Sequence, residues 1–432
     1  MQPACIQLPR LLLPADRATL SHWAVIACDQ FTAEPSYWSQ TEALVGTDPS
    51  CLRLTLPEVY LSADDAPRIT AIHQTMDTYL SAGLLQELDD GLMLIERDCG
   101  RGSQRRGVLL AFDLDAYDER PGARTPIRPT EATVTERVPA RLAIRAQAPF
   151  ELPHILLFVD DPAHTLLEPL FSACADVPVC YDFTLMQGGG HIKSRFVPIG
   201  DAVDAFLTRL SEHAAPEACR ARYGLLENQA PLVFATGDGN HSMAAAKAHW
   251  EQVKRGLNAE QALTHPARFV LAELVNLQDE SICFEAVHRL LLNVHADDAL
   301  AFLCAYFSSA GLSCSLDGHA EPQTLLLPFY TQGRSGALSI SGAEDALPVA
   351  LLQEAIDAFL RARPEVQIDF IHGTDTLLAL SDAPARLGFL LPDFGKDLLF
   401  PYVLNHGVLP RKTFSMGTAL EKRYYLEGRM IR

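Results

Sequence analysis

The stretch "VFATGDGNHSMAAAKAHW", Val233 to Trp250, reads as a buried strand that stops at a corner and restarts as a helix. Its first half is apolar and β-branched or aromatic, and its second half is alanine-rich with apolar residues at helical spacing. Between them lie Gly237, Asp238, Gly239, Asn240 and His241. A helix start offers unpaired N–H groups and a partial positive charge, so such a corner suits a phosphate or another anion. The glycines permit positive φ and close backbone approach. Asn240 or Ser242 acting simply as the helix cap is the plainer alternative. His241 is the candidate acid or base, and Asp238 the group that orients it or holds a divalent ion.

Outward from the corner, strands and helices keep alternating. "DDAPRITAIHQTMDTYLSAG", Asp64 to Gly83, spaces Ile69, Ile72, Met76 and Tyr79 by three and four, which predicts a helix with one apolar face. "GLMLIERD" and "RGVLLAFDLDAY" flank a polar loop and predict a hairpin. "RVPARLAIRAQAPF" predicts a short helix between Pro139 and Pro149. "HILLFVDDP" predicts a buried strand ending in acids, and "YDFTLMQGGGHIKSRFVPI" two strands around a glycine turn. "AVDAFLTRLSEHAAP" predicts a helix, and "FVLAELVNLQDESICFEAVHRLLLN" two more strands and a helix start. After about Leu300 come helices such as "VALLQEAIDAFLRARP" and short strands such as "LGFLLPDF". The pattern predicts a mixed α/β or α+β fold. A chain of 432 residues exceeds what one core usually serves. Two regions are therefore expected, 1–299 carrying the corner and 300–432 packing on the same cleft.

Composition narrows the function classes. Lys plus Arg number 35 against 54 Asp plus Glu, a net charge of −19, so a polyanion such as nucleic acid would be repelled. A small anionic ligand held by a few local arginines remains open. Apolar runs are too short for a membrane span, and the first residues lack the pattern of a signal peptide, so a soluble cytoplasmic protein is expected. The ten cysteines show no C-x-x-C and no zinc spacing, which predicts reduced thiols.

Several further residues could carry chemistry. Arg141 and Arg145 are four apart on one helix face, with Arg137 upstream, a grouping suited to an oxyanion. The alternative is a solvated face paired with Glu136 and Glu151. His191 and Lys193 follow "GGG" in what is either an anion loop or a plain hairpin turn. Cys28 and Asp29 close the apolar run "VIAC", where strand ends often place catalytic groups, although no histidine stands beside the thiol in sequence. His372 and Gly373 make another corner in "DFIHGTDTLLAL", and Arg411, Lys412 and Thr413 bring positive charge beside a hydroxyl.

Together "ACDQF", "LPEVYL", "TGDGNHSMAAAKA", "DFIHG" and "LPRKTFSM" resemble the domain of unknown function 1015 family over nearly the whole chain. Many relatives read D-G-H-H-R at the corner, whereas this chain has Asp238, Gly239, Asn240, His241 and Ser242, so the arginine contact does not carry over. The corner is also similar, more distantly, to the Asp-Gly-x-His-Arg element of the ParB/sulfiredoxin superfamily, which includes free-serine kinases. That resemblance implies a ParB/sulfiredoxin-like core with elaborations, and a small-molecule phosphotransferase or phosphatase acting on serine, phosphoserine or a nucleotide. Mg2+ and ATP or ADP are the cofactors it brings into view. In this reading Asp238 and His241 do the chemistry. Gly237, Gly239, Asn240, Arg141, Arg145 and Lys412 hold phosphate. A non-catalytic nucleotide or phospho-metabolite sensor, and a thiol reaction at Cys28, are the other readings.

Overall fold

The structure, a computed structural model, describes residues 5–62, 64–100, 102–120, 122–132, 138–316, 324–343 and 346–432. It forms two compact units, one of Met1–Cys283, Leu399–Val408 and Gly417–Arg432, the other of Phe284–Leu398 and Leu409–Met416. The chain crosses between them at 283/284 and returns twice, so a single division at 299/300 does not describe it.

The first unit opens with β1 (Ile6–Gln7), β2 (Arg10–Pro14), α1 (Leu20–Trp23), β3 (Val25–Ile26), α2 (Pro35–Val45) and α3 (Ala66–Ser81). The expected hairpin follows as β4 (Leu85–Asp98) and β5 (Gln104–Asp113), then β6 (Ile127–Arg128), α4 (Val138–Gln147), β7 (Phe150–Glu151) and β8 (Leu156–Val159). Next come α5 (Leu167–Ala173), the pair β9 (Val179–Thr184) and β10 (His191–Pro198), α6 (Asp201–Ala214) and α7 (Pro216–Tyr223). The opening stretch gives β11 (Phe234–Asp238) and α8 (Asn240–Lys254), followed by α9 (Ala259–Thr264) and β12 (Phe269–Asn276).

Ten of these strands form one sheet, ordered β6-β11-β8-β12-β5-β4-β10-β9, with β1 on β5 and β2 on β4. β6 with β11 and β8 with β12 are parallel, and the other pairs are antiparallel. Successive side chains on a strand point to opposite faces, and here both faces are covered. Leu92, Leu94, Val108, Leu110 and Phe112 pack with Leu170, Phe206, Met243 and Trp250 of α5, α6 and α8. Met93, Ile95, Leu109 and Leu271 pack on the other side with Trp23, Trp38, Ile72 and Met76 of α1 to α3. The near-continuous apolar runs of the sequence are therefore strands buried on both faces.

The second unit contains β13 (Phe284–Leu292), α10 (Ala296–Ser309), β14 (Ser313–Ser315), β15 (Thr324–Thr331), β16 (Arg334–Ser341), α11 (Pro348–Ala362), β17 (Gln367–His372), α12 (Thr374–Ser381) and β18 (Arg386–Phe389). The strand continues to Leu292 where a helix start was expected, and α10 begins only at Ala296. After α13 (Leu399–His406) in the first unit, β19 (Phe414–Met416) completes a seven-stranded antiparallel sheet, β14-β16-β15-β18-β13-β17 with β19 on β13. The chain ends in the first unit with β20 (Tyr424–Tyr425) on β3 and β21 (Arg429–Met430) on β7. Among the described residues no helix is long and apolar enough to cross a membrane.

Buried charge fixes this C-terminal tail in the first unit. Arg423 Nε donates to Glu273 Oε2 at 2.9 Å and its Nη2 to Glu427 Oε2 at 2.7 Å, while Tyr181 donates its hydroxyl to Glu427. Gly107 leaves the room that Glu273 fills, since a Cβ there would lie 2.3 Å from the carboxylate. Buried charges persist only when paired and hydrogen-bonded in this way.

Candidate functional site

At the corner, Gly239 is the N-cap of α8 in the left-handed region, φ 81°, with no side-chain cap. Neither Asn240 nor Ser242 caps the helix. Asn240 instead accepts a hydrogen bond from the Thr236 hydroxyl, and Thr236 in turn holds Thr130. Both glycines are accounted for by packing. A Cβ on Gly237, where β11 bulges against β8, would sit 2.5 Å from the Phe158 ring, and one on Gly239 would meet Ile155 at 3.0 Å. Asp238 Oδ1 accepts the Gly239 N–H at 2.9 Å and Oδ2 faces Lys422 Nζ at 3.9 Å.

The corner borders a pocket without forming its floor. About 850 Å3 of space, its mouth included, is enclosed by the apolar side chains of Leu54, Leu56, Met76, Ile144, Phe150 and Val270, with Ser242 and Ala245 of α8 on one wall. Its polar lining includes Cys28, Thr55, Glu58, Arg141, Arg145, Glu151, His154 and Tyr425. Asp238 and His241 are not part of that lining.

Distant segments meet here. Cys28 and Asp29 follow β3, which pairs with β20, and this pairing brings Tyr425 to the thiol. The Cys28 carbonyl accepts the Glu58 N–H at 2.8 Å, which anchors the short 3-10 turn Glu58–Tyr60. Arg141 reaches down from α4, its Nη2 2.7 Å from Glu58 Oε1 and 3.6 Å from Asp29 Oδ2. His154, just before β8, places Nε2 3.7 Å from the same Asp29 oxygen. Asp29 also accepts Gln30 Nε2 at 3.0 Å.

Burial alone would raise the Asp29 carboxyl, but His154, Arg141 and Gln30 outweigh it and hold the group well below the usual carboxylate range. Burial likewise opposes the Arg141 charge, yet Cys28, Asp29 and Glu58 around it keep its proton bound more firmly than usual. The site therefore holds a fixed guanidinium between two carboxylates, with an imidazole behind. Burial pushes the Cys28 thiol up to about 11 against the pull of Arg141, and the Tyr425 hydroxyl donates to its sulfur at 3.0 Å. Such a thiol is mostly protonated at neutral pH.

Arg145 differs from Arg141. It pairs with Glu151, whose other contacts are Arg429 at 2.8 Å and the Leu271 N–H at 2.9 Å. Arg145 is thus part of a buried ion network with Glu151, the partner named in the alternative reading, although the pair is buried and not on a solvated face. Arg137 and Glu136 lie outside the described residues. His191 pairs with Asp182 at 2.6 Å on the half-exposed β9–β10 turn, a hairpin and not part of the pocket. His372 and Lys412 are exposed residues of the second unit, and the Lys412 carbonyl accepts Arg289 Nη1 at 3.0 Å.

Divalent-ion binding at Asp238 does not fit these surroundings. One carboxylate oxygen is taken by a backbone N–H and the other faces a lysine, whereas Mg2+ wants several oxygen ligands. Among the described residues no three His, Cys, Asp or Glu side chains cluster as metal ligands.

Glu58, His154, Tyr425 and Lys422 were not singled out in the sequence. Glu58 sits inside "LPEVYL" and His154 opens "HILLFVDDP", so a polar residue adjoining an apolar run was the available signal.

The fold and pocket define a mixed α/β protein with a paired guanidinium and carboxylate in the lining of a largely apolar pocket. The chain belongs to the family described as protein of unknown function (DUF1015), which matches residues 11–359. No curated protein matches it. Among solved structures, a free serine kinase in complex with AMP is similar at 10% identity and a TM-score of 0.39, over 75% of this chain and 92% of that one. A conserved hypothetical protein from Pyrococcus furiosus is similar at 11% identity and 0.36, over 74% and 93%. SbnI with a C-terminal truncation, from Staphylococcus aureus, is similar at 10% and 0.37, over 72% and 83%. These likenesses are remote.

Proposed function

We propose that the pocket transfers a phosphoryl group to or from the hydroxyl of a small metabolite, with serine or phosphoserine and a nucleotide such as ATP or ADP as the candidate reactants. The observation that carries this reading is the 2.7 Å pair of Arg141 and Glu58 in the lining of an apolar pocket, beside the uncapped first turn of α8. Phosphoryl transfer asks mainly for positioning and for charge at the transferred group. In the forward direction Glu58 takes the proton of the hydroxyl as its oxygen attacks phosphorus, and the nucleotide leaves with the electron pair of the broken bond. Arg141 donates to the transferred oxygens, and the first turn of α8, Asn240 to Ser242, adds its dipole. Asp29 is a positioning residue that holds Arg141 and His154. The apolar walls suit a base or another flat, non-polar part of the ligand. Any Mg2+ arrives with the nucleotide as part of the substrate. A ParB/sulfiredoxin-like ancestry of the first unit and a cytoplasmic location belong to the same proposal.

The test is a product assay on phosphoserine alone and on serine with ATP or ADP and Mg2+, using the native chain and Glu58→Gln. Turnover that falls about 100-fold or more in the variant, with the fold kept, supports the reading. No product in any arm, or an unchanged Glu58→Gln, refutes it. A second reading, a nucleotide or phospho-metabolite sensor, is favoured by the fact that both arginines already face carboxylates. It requires thermal stabilisation by the ligand with no product formed.

A further inference from the structure

In the second unit, Cys304 of α10 and Cys314 of β14 point at each other with their sulfur atoms 2.7 Å apart. That separation is far inside ordinary non-bonded sulfur contact and only a little beyond the ~2.05 Å of a disulfide bond. Both thiols are free and half-buried at the edge of the apolar core formed by Leu303, Phe307 and Ile340, so a small oxidant reaches them. Their positions are fixed by neighbours. Cys304 lies in the middle of α10, and Cys314 is held opposite Ile340 by the β14–β16 pairing. Among the described residues no other pair of cysteines shows so short a sulfur contact: of the remaining eight, five are buried, Cys99 and Cys180 are half-buried, and Cys283 is exposed.

We propose that Cys304 and Cys314 form a reversible dithiol–disulfide site that joins α10 to β14. With oxidised glutathione as oxidant, the thiolate of one cysteine attacks the glutathione disulfide and expels one glutathione thiolate. The second cysteine gives up its proton, attacks the protein-bound sulfur and expels the other. Two protein thiols lose two electrons and two protons, and the oxidant leaves as two molecules of reduced glutathione. Little movement is required, because the two sulfurs already face each other across a short loop.

The test uses the full chain carrying Cys283→Ser, which removes the exposed competing thiol. The protein is equilibrated with oxidised glutathione, blocked with N-ethylmaleimide in denaturant, digested and mapped by mass spectrometry. The expected result is that most Cys304 and Cys314 peptides are joined, two hydrogens lighter than their sum, within monomeric protein, and that dithiothreitol separates them. Adding Cys304→Ser should leave Cys314 blocked or singly glutathionylated. The proposal is overturned if both cysteines remain blocked by N-ethylmaleimide after oxidation, or if each carries glutathione without joining the other.

Discussion

Two arginines that look equivalent on one helix should behave differently when removed. Arg145→Met deprives Glu151 of one cation, while Arg429 at 2.8 Å and the Leu271 N–H at 2.9 Å remain. Breaking a buried pair by removing one partner costs about 3–5 kcal/mol, and the surviving Arg429 places this case near about 3 kcal/mol. At roughly 2–4 °C per kcal/mol for domains of this scale, the melting temperature should fall by roughly 6–12 °C. Turnover per folded molecule should stay within about tenfold, because Arg145, although it lines the pocket, is committed to Glu151 and is not the donor assigned to the transferred group. Arg141→Met also loses stability, since Asp29 and Glu58 are left facing each other. Its turnover should fall about 100-fold or more, the usual cost of deleting one charge-stabilising donor. Thermal melts read by circular dichroism and product formation by chromatography, both at saturating ligand, separate the two effects. If Arg145→Met kept its melting temperature and lost turnover, the division of roles drawn from these contacts would be wrong.

Stability should also respond to acid. Burial depresses His249 and His213 to about 4, so both are neutral in the folded chain while their unfolded counterparts protonate near 6.5. Their contribution is complete above pH 6.5 and is lost as pH falls to about 4. His249→Gln should flatten that limb in chemical denaturation curves taken from pH 7 to 4, and an equally steep fall in the variant would contradict it. Gly237→Val should lower stability by about 1–3 kcal/mol through the clash with Phe158 while ligand affinity per folded molecule stays the same. Isothermal titration of the folded fraction checks this, and a selective loss of affinity would restore a ligand-facing role to the glycine. Cys28→Ser should retain turnover within about tenfold, because a thiol raised to about 11 is not the nucleophile. Complete inactivation of a folded variant, measured in the same product assay, would reverse that conclusion.

Sequence alone determined what depends on neighbours along the chain. The strand, corner and helix of Val233–Trp250, the helix Ala66–Ser81, the β4–β5 hairpin and the amphipathic α4 all follow from periodicity of two or 3.6 and from proline and glycine at their ends. The mixed α/β class follows from their alternation. Only tertiary structure decided what depends on residues far apart. The strand pairing of Val25–Ile26 with Tyr424–Tyr425 sets Cys28 against Tyr425, and nothing within either segment announces it. Arg141 and Arg145 have the same local pattern, yet one meets Asp29 and Glu58 and the other meets Glu151. The glycines of the corner each pack on one side against Phe158 or Ile155, which no local pattern shows. Periodicity encodes which face of an element is apolar. The identity of the side chain across a contact depends on how the sheet is ordered, and no local pattern carries that order.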